Sequence, residues 1–385
     1  IRGLCDTLYK EYVYTDKEPL HGMEIKQGKA GQWRPFRDGE ECWGGRDTHF
    51  FFRLHVKLPP RMAGRQVRFA ATPGPNGGWY WGAPQVLAYV NGEIRQGMDG
   101  NHREIVLTDH AQTTDEWDIL LDAYCDMFRY TDPLQMRMSL LCVDTEAEAL
   151  YYDLLTPLEV AEELPVDDIR RIDLLDRLNQ AVSLLDLRQP SGEMSARSIR
   201  ACREYVKREL YDALCGDQPT QVTALGSTHI DVAWMWTYAQ TRDKTARSFS
   251  TALAMMERYP HYRFMSSQPQ LYAFLKQDHP EVYEKVRARV LEGRWEAEGG
   301  MWVEADTNLP SGESLVRQFL YGCRFFEQEF GKRCRVLWLP DVFGYSAALP
   351  QIMKKCGVDY FMTTKISWNE YDKMPYDTFM WQGID

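Results

Sequence analysis

The stretch 221-QVTALGSTHIDVAW-234 decides how the second half of this chain is read. QVTAL is a short apolar, strand-like run. Gly226, Ser227 and Thr228 then make a polar approach to His229 and Asp231, placed where that strand should end. Residues at i and i+2 of an extended segment project from one face, so this imidazole and this carboxylate share a side. A second stretch, 334-CRVLWLPDVFGYS-346, repeats the plan, with strand-like CRVLW followed by Pro340 and Asp341. One histidine and two carboxylates converging at strand C-termini suit a borderline divalent cation, zinc first among them. An H-x-D pair alone is a weak signal, since Asp often caps a following helix and a buried His is often only hydrogen-bonded. Its company strengthens it. Trp234 and Trp236 follow within a turn, and an aromatic face beside metal ligands suits stacking on the C–H face of a pyranose. Metal-assisted hydrolysis is the chemistry these residues suggest.

Working outward, strand-like and helical segments alternate after Val222. QVTALG leads to a helix through 244-KTARSFSTALAMMERY-259, then 262-YRFMSSQ-268, a helical stretch broken at Pro280, and 294-RWEAEG-299. A helix through 312-GESLVRQFLYGCRFFEQEF-330 precedes 335-RVLWLP-340, a helix near 348-ALPQIMKKC-356, 359-DYFMTT-364 and a final strand candidate, 378-TFMWQG-383. Repeated βα units imply a largely parallel sheet or barrel. In a parallel barrel the polar residues just past each strand collect on one face. Here they are His229 and Asp231, then Gln268, then Trp302, Glu304, Asp306 and Asn308, then Asp341, then Lys365. Six strand candidates fall short of a closed barrel, so the chain reads as the front part of a longer protein.

The first part is β-rich to about residue 155. Alternating runs recur at 49-HFFFRLHVKL-58, 66-QVRFAAT-72, 85-QVLAYVNGEIRQG-97, 104-EIVLT-108 and 117-WDILLDAY-124. Asn91-Gly92 is a strong two-residue hairpin signal. Short strands at this spacing imply an antiparallel β-sandwich of jelly-roll type. From Pro165 the period changes. Ile169, Ile172, Leu175, Leu178, Val182 and Leu185 mark an amphipathic helix, with Asp167 and Asp168 in its first turn. A second helix, roughly Ser195 to Cys215, completes a helical pair that connects the two parts. The expected organisation is a β-sandwich over 1–160, a helical connector over 161–218 and an incomplete (β/α)7-type barrel over 219–385.

A formal net charge of −11 without a long basic run argues against nucleic acid as a partner. No apolar stretch approaches the about 20 residues that a membrane-spanning helix needs, and the start lacks a signal-peptide pattern. The nine cysteines include no C-x-x-C pair, which fits reduced thiols and a cytoplasmic setting better than a disulfide framework.

Three stretches, 226-GSTHIDVAWMW-236, 298-EGGMWVEADTNLPSGESLVRQF-319 and 338-WLPDVFGYSAALPQIMKKCG-357, resemble glycoside hydrolase family 38, the zinc-dependent retaining α-mannosidases. The wording is similar to the cytosolic or vacuolar branch and its bacterial relatives, and the likeness covers about residues 219 to 385. It implies that His229 and Asp231 are zinc ligands and that Asp341 is both nucleophile and zinc ligand. Trp234 would stack on the mannose, with Trp302 and Asp306 lining the same pocket. It also implies a seven-stranded barrel, a mannose-containing oligosaccharide as substrate, and homo-oligomers of the full-length protein.

Two departures follow. The family's further zinc-binding histidine has no counterpart here, because His279 is the last histidine; that ligand is expected beyond residue 385. Glu304 and Asp306 are candidates for the general acid/base, which is also expected beyond residue 385. This polypeptide alone is therefore expected to bind zinc weakly or not at all and to have no useful turnover. Two other readings stand beside this one. A metal-dependent polysaccharide deacetylase would need additional histidine ligands in a second motif, and a non-enzymatic carbohydrate-binding module would leave the buried acid of WLPDVFGYS without a purpose.

Overall fold

The computed structural model describes residues 1–74, 79, 84–126, 133–190, 192–214 and 222–385. It divides into two compact units, Ile1–Pro84 with Val90–Gly92 and Asp99–Val222, and Gln85–Tyr89 with Glu93–Met98 and Thr223–Asp385.

The chain opens with helix α1 (Arg2–Thr7), which widens into one π-helical turn before β1 (Tyr14–Leu20). Next come β2 (Glu24–Gln27), β3 (Arg34–Pro35), β4 (Thr48–Lys57) and β5 (Gln66–Thr72). The hairpin of β6 (Gln85–Val90) and β7 (Glu93–Met98) follows, then β8 (Glu104–Thr108), β9 (Glu116–Cys125) and β10 (Arg137–Val143). Within the first unit one antiparallel sheet runs β1-β10-β5-β8 and another β3-β2-β4-β9. Alternation sets the β4–β9 register. Phe52, Leu54 and Val56 face Leu121, Ile119 and Trp117 on the buried side, while His55 and Lys57 face Asp118 and Glu116 on the other. A one-residue slip would bury those charges. The expected hairpin forms at Asn91 and Gly92, both at positive φ (53° and 82°) as a type I′ turn requires.

The β-rich part ends at Val143, earlier than the 155 expected. Asp144 accepts hydrogen bonds from the N–H groups of Glu146 and Ala147 and so caps α2 (Thr145–Glu163). Ala147, Leu150, Leu154 and Leu158 line its buried face. Arg68 on β5, buried at 2% exposure, forks onto Glu148 of α2 at 2.7 and 2.6 Å and reaches Glu104 of β8 at 3.2 Å. This tie fixes helix to sheet. The first unit also contains α3 (Ile169–Ser183), capped by Asp168, and α4 (Glu193–Val206), prolonged by a π-helical turn over Lys207–Asp212. Leu178 and Ala181 are buried as an amphipathic helix requires, but Ile169 and Ile172 in the first turn are exposed. Cys215 and the segment 216–221, which the sequence reading placed at the end of the second helix and the start of QVTAL, lie outside the described residues.

The second unit repeats strand and helix: β11 (Gly226–Ser227), α5 (Tyr238–Arg258), β12 (Phe264–Ser266), α6 (Pro269–Asp278), α7 (Pro280–Leu291), β13 (Trp295–Ala297), α8 (Gly312–Phe330), β14 (Val336–Trp338), α9 (Leu349–Cys356) and β15 (Tyr360–Met362). β11, β12 and β13 pair in parallel, as do β14 and β15, and a parallel bridge joins Gly299 to Leu337. The core centres on Trp295, whose indole N–H donates to the Tyr272 hydroxyl at 2.8 Å and whose ring lies 4.9 Å from Phe249 and 4.6 Å from Phe264. Leu87 and Ile94 of the hairpin join this core, and the Gly97 N–H donates to Thr251 Oγ1 of α5 at 3.1 Å. The expected strand at 378–383 does not form. Its backbone finds no partner strand among the described residues, and Met380 is 98% exposed. Among the described residues no helix is long and apolar enough to cross a membrane.

Candidate metal and catalytic site

The parallel strands are three residues long or fewer, so the segments beyond their C-terminal ends do the positioning. His229 and Asp231 follow β11, Ser267 and Gln268 follow β12, Glu304 lies on the loop after β13, and Asp341 follows β14. Close approach of the β12 and β13 ends requires Gly299. Its φ is +144°, and a Cβ there would stand 2.6 Å from that of Ser267.

Gln268 stitches these loops together. Held at φ 62° and 2% exposed, it donates from Nε2 to the Ile230 carbonyl at 2.9 Å and accepts the Glu304 N–H on Oε1 at 3.1 Å. The Glu304 side chain, 3% exposed, is thereby set against His229. One of its carboxylate oxygens accepts from His229 Nδ1 and the other from the Ser267 hydroxyl. A carboxylate can only accept, so the His229 proton on that side is fixed on Nδ1.

The opposite ring nitrogen faces the remaining acids. His229 Nε2 lies 3.1 Å from Asp231 Oδ1 and 3.4 Å from Asp341 Oδ2. Each of the three offers a ligand atom, and these atoms lie within 4.8 Å of one another. No other group of three such residues meets that test among the described residues. The donor set suits a divalent metal ion, because the imidazole presents one nitrogen while a buried carboxylate orients the ring through the other. Burial alone would lower the His229 pKa. The hydrogen bonds and charges of Asp231 and Glu304 outweigh it and raise the pKa to about 10.

Asp341 has a second neighbour. Lys365, in the 3₁₀ turn after β15, places Nζ 2.5 Å from Asp341 Oδ1, with its side chain only 10% exposed. Its ammonium packs 3.3 Å from the centroid of the Trp368 ring and 4.8 Å from that of Phe343. The Asp231 main chain is equally pinned. Its carbonyl accepts from Trp236 Nε1 at 3.2 Å and from Thr241 Oγ1 at 3.2 Å.

The other sequence candidates are placed as follows. Trp234 is 65% exposed and stands edge-on to Trp236 at 5.5 Å. Trp302 donates its indole N–H to Gln270 Oε1 at 3.1 Å and packs edge-on against Phe325. Asp306 is exposed, and its Oδ1 accepts the N–H groups of Asn308 and Leu309, both at 2.8 Å, which closes a turn. Glu304, one of the two acid/base candidates, has its two oxygens engaged by His229 and Ser267. Ser267 was not singled out in the sequence. Gln268 and Lys365 are marked in the sequence only by their places at strand ends, and Glu304 by its place and as an acid/base candidate, none of them with the partners they take.

Comparison with known proteins gives concordant findings. Residues 219–385 match the family described as glycosyl hydrolases family 38 N-terminal domain. The chain is 32% identical over 384 residues to alpha-mannosidase G of Dictyostelium discoideum, covering 95% of this chain and 34% of that protein. It is 35% identical over 361 residues to alpha-mannosidase 2C1 of Homo sapiens, covering 89% and 32%. With an alpha-mannosidase of Saccharomyces cerevisiae it shares 41% identity over 253 residues, covering 63% and 23%. The chain spans about a third or less of the length of these curated relatives.

Proposed function

Residues 219–385 belong to glycosyl hydrolase family 38, and on that premise we propose that the protein is a zinc-dependent retaining α-mannosidase acting on terminal α-mannosyl residues of oligosaccharides. The observation that carries the proposal is the convergence of His229, Asp231 and Asp341 within 4.8 Å, with Nδ1 of the histidine occupied by Glu304.

His229, Asp231 and Asp341 would hold the zinc ion. Bound there, zinc supplies Lewis-acid stabilisation of charge on the sugar hydroxyls. Asp341 is proposed as the nucleophile. One of its oxygens forms a bond to the anomeric carbon as the glycosidic C–O bond breaks, giving a mannosyl ester that water then cleaves with retention. Lys365 holds the other oxygen and so restricts the carboxylate to one orientation. Glu304 is buried and doubly hydrogen-bonded, so protonation of the leaving oxygen is assigned neither to it nor to Asp306. Trp234 is proposed to stack on the sugar, with Trp302 and Asp306 bordering the same pocket; the exposure of Trp234 supports this most directly.

The antiparallel sheets of the first unit and the parallel pairs of the second are consistent with a sandwich over 1–160, a connector over 161–218 and part of a (β/α)7-type barrel over 219–385. A cytoplasmic setting and homo-oligomers of the full-length protein complete the proposal. The eight cysteines among the described residues are all free thiols, which supports the first of these.

The test is hydrolysis of an aryl α-mannoside by the full-length protein, with and without a chelator, beside Asp341→Ala. Chelation should abolish turnover and zinc should restore it. The variant should lose roughly three orders of magnitude or more in kcat. A folded, zinc-loaded protein without activity on α-mannosides would sink the proposal.

A further inference from the structure

The β6–β7 hairpin reaches the backbone of Asp231 through α5. Gln85, at the start of β6, belongs with the second unit although 159 positions separate it from Lys244 of α5. Packing holds it there. Leu87 and Ile94 are buried in the core around Trp295, and a Cβ at Gly97 would stand 3.0 Å from both the Cβ and the carbonyl oxygen of Arg247. This close seat on α5 puts the Gln85 amide oxygen between two cations. It accepts from Lys244 Nζ at 3.0 Å and from Nη2 of Arg247, a residue 8% exposed, at 2.6 Å. A neutral amide oxygen orients an ammonium and leaves its charge in place.

That charge lies over Trp236. Lys244 Nζ stands 4.2 Å from the centroid of the indole ring, where attraction to the ring face restrains the plane of the side chain. The indole N–H points back to Asp231, donating to its carbonyl at 3.2 Å and to Thr241 Oγ1 at 3.1 Å. The Thr241 hydroxyl, fully buried in the first turn of α5, donates to the same carbonyl at 3.2 Å. Asp231 lies outside any strand, so side-chain donors hold its carbonyl where a sheet ladder would otherwise do so. From that fixed main chain its Oδ1 comes 3.1 Å from His229 Nε2.

We propose that Gln85, Lys244 and Trp236 are positioning residues for Asp231, keeping its carboxylate in register with His229 and Asp341 for the zinc ion. The proposal rests on the zinc-site reading above. Gln85 orients Lys244, Lys244 restrains the indole, and the indole N–H holds the Asp231 carbonyl. A ligand set has to be held within roughly 0.5 Å of its productive geometry, so loss of a support behind one ligand appears as lost metal affinity.

Zinc affinity of the full-length protein, read by competition with a chromogenic chelator, tests it without any assay of turnover. Trp236→Phe keeps an aromatic ring and removes the N–H, while Lys244→Met keeps the stem and removes the charge. Each should weaken zinc binding by roughly tenfold, and Lys244→Arg should restore most of the loss. Because the two residues act in series, Lys244→Met combined with Trp236→Phe should bind no more weakly than Trp236→Phe alone. Losses that multiply, or wild-type affinity in a folded Trp236→Phe, would overturn the proposal. That variant decides the question even if Lys244→Met fails to fold. A wild-type protein that binds zinc but leaves α-mannosides intact would remove the mannosidase reading and leave this one to the affinities. One that binds no zinc would overturn both.

Discussion

Lys365 Nζ stands 2.5 Å from Asp341 Oδ1 while Asp341 Oδ2 faces His229 Nε2 at 3.4 Å, so one carboxylate is gripped from both sides. The packing of Trp368 and Phe343 around the ammonium removes much of its freedom and makes the grip directional. Lys365→Met should keep the fold and lower kcat on an aryl α-mannoside by roughly tenfold to a hundredfold, through loss of orientation. Lys365→Arg should recover part of that loss. Equal kcat in wild type and Lys365→Met would show that the ion pair positions nothing.

At the proposed metal site Glu304 would act through His229. Glu304→Gln keeps a hydrogen-bonding group of similar size but replaces the buried anion that faces Nδ1. Zinc affinity should fall by roughly tenfold to a hundredfold, as is usual when the carboxylate behind a ligating histidine is lost. Competition with a chromogenic chelator reads this directly, without any assay of turnover. Unchanged affinity would remove Glu304 from the site's support.

In the first unit, Arg68→Met should cost about 3 kcal/mol of stability, because it strands the carboxylates of Glu148 and Glu104 in a largely buried place. Urea unfolding followed by circular dichroism measures it. A shift within experimental scatter would mean that water reaches these acids once the guanidinium is gone.

Asp168 caps α3 through the Arg170 N–H at 2.8 Å. Its pKa is lowered to about 2, first by the side-chain hydrogen bond from Arg170 and then by that N–H. A depressed carboxylate contributes stability above its unfolded pKa of about 3.9, and that contribution fades as pH falls through the folded value. Asp168→Ala should therefore be less stable than wild type at pH 6, and the gap should narrow as the pH is taken from about 4 towards 2. Chemical denaturation at a series of pH values tests it, and a gap that widens on acidification contradicts the assignment.

Much of this molecule was legible where one physical signal dominated. Alternation gave β4, β5 and β9, and Asn91-Gly92 gave the hairpin. The strand-end pattern singled out His229, Asp231 and Asp341, which the structure gathers within 4.8 Å. What escaped had mixed signals. β1 is YTDKEPL, with only Leu20 buried, so nothing in its composition announces a strand. β10 is buried at all but Arg137 and shows no alternation, because both of its faces are covered. Helix α2 contains Pro157 and a Tyr-Tyr pair, which mask its leucine spacing. At the site, residue types pointed to metal ligands, but the link between Glu304 and His229 spans 75 positions. No local pattern encodes that.

The same separation bears on how the protein is made. His229 leaves the ribosome 75 residues ahead of the carboxylate that fixes its ring, and Asp341 emerges later still. During synthesis the nascent chain exposes an H-x-D pair whose imidazole is free to turn. Gln268 can bridge the first and third loops only after residues 299–304 have emerged and docked. The order of translation thus leaves His229 and Asp231 without Asp341 until most of the second unit has been made.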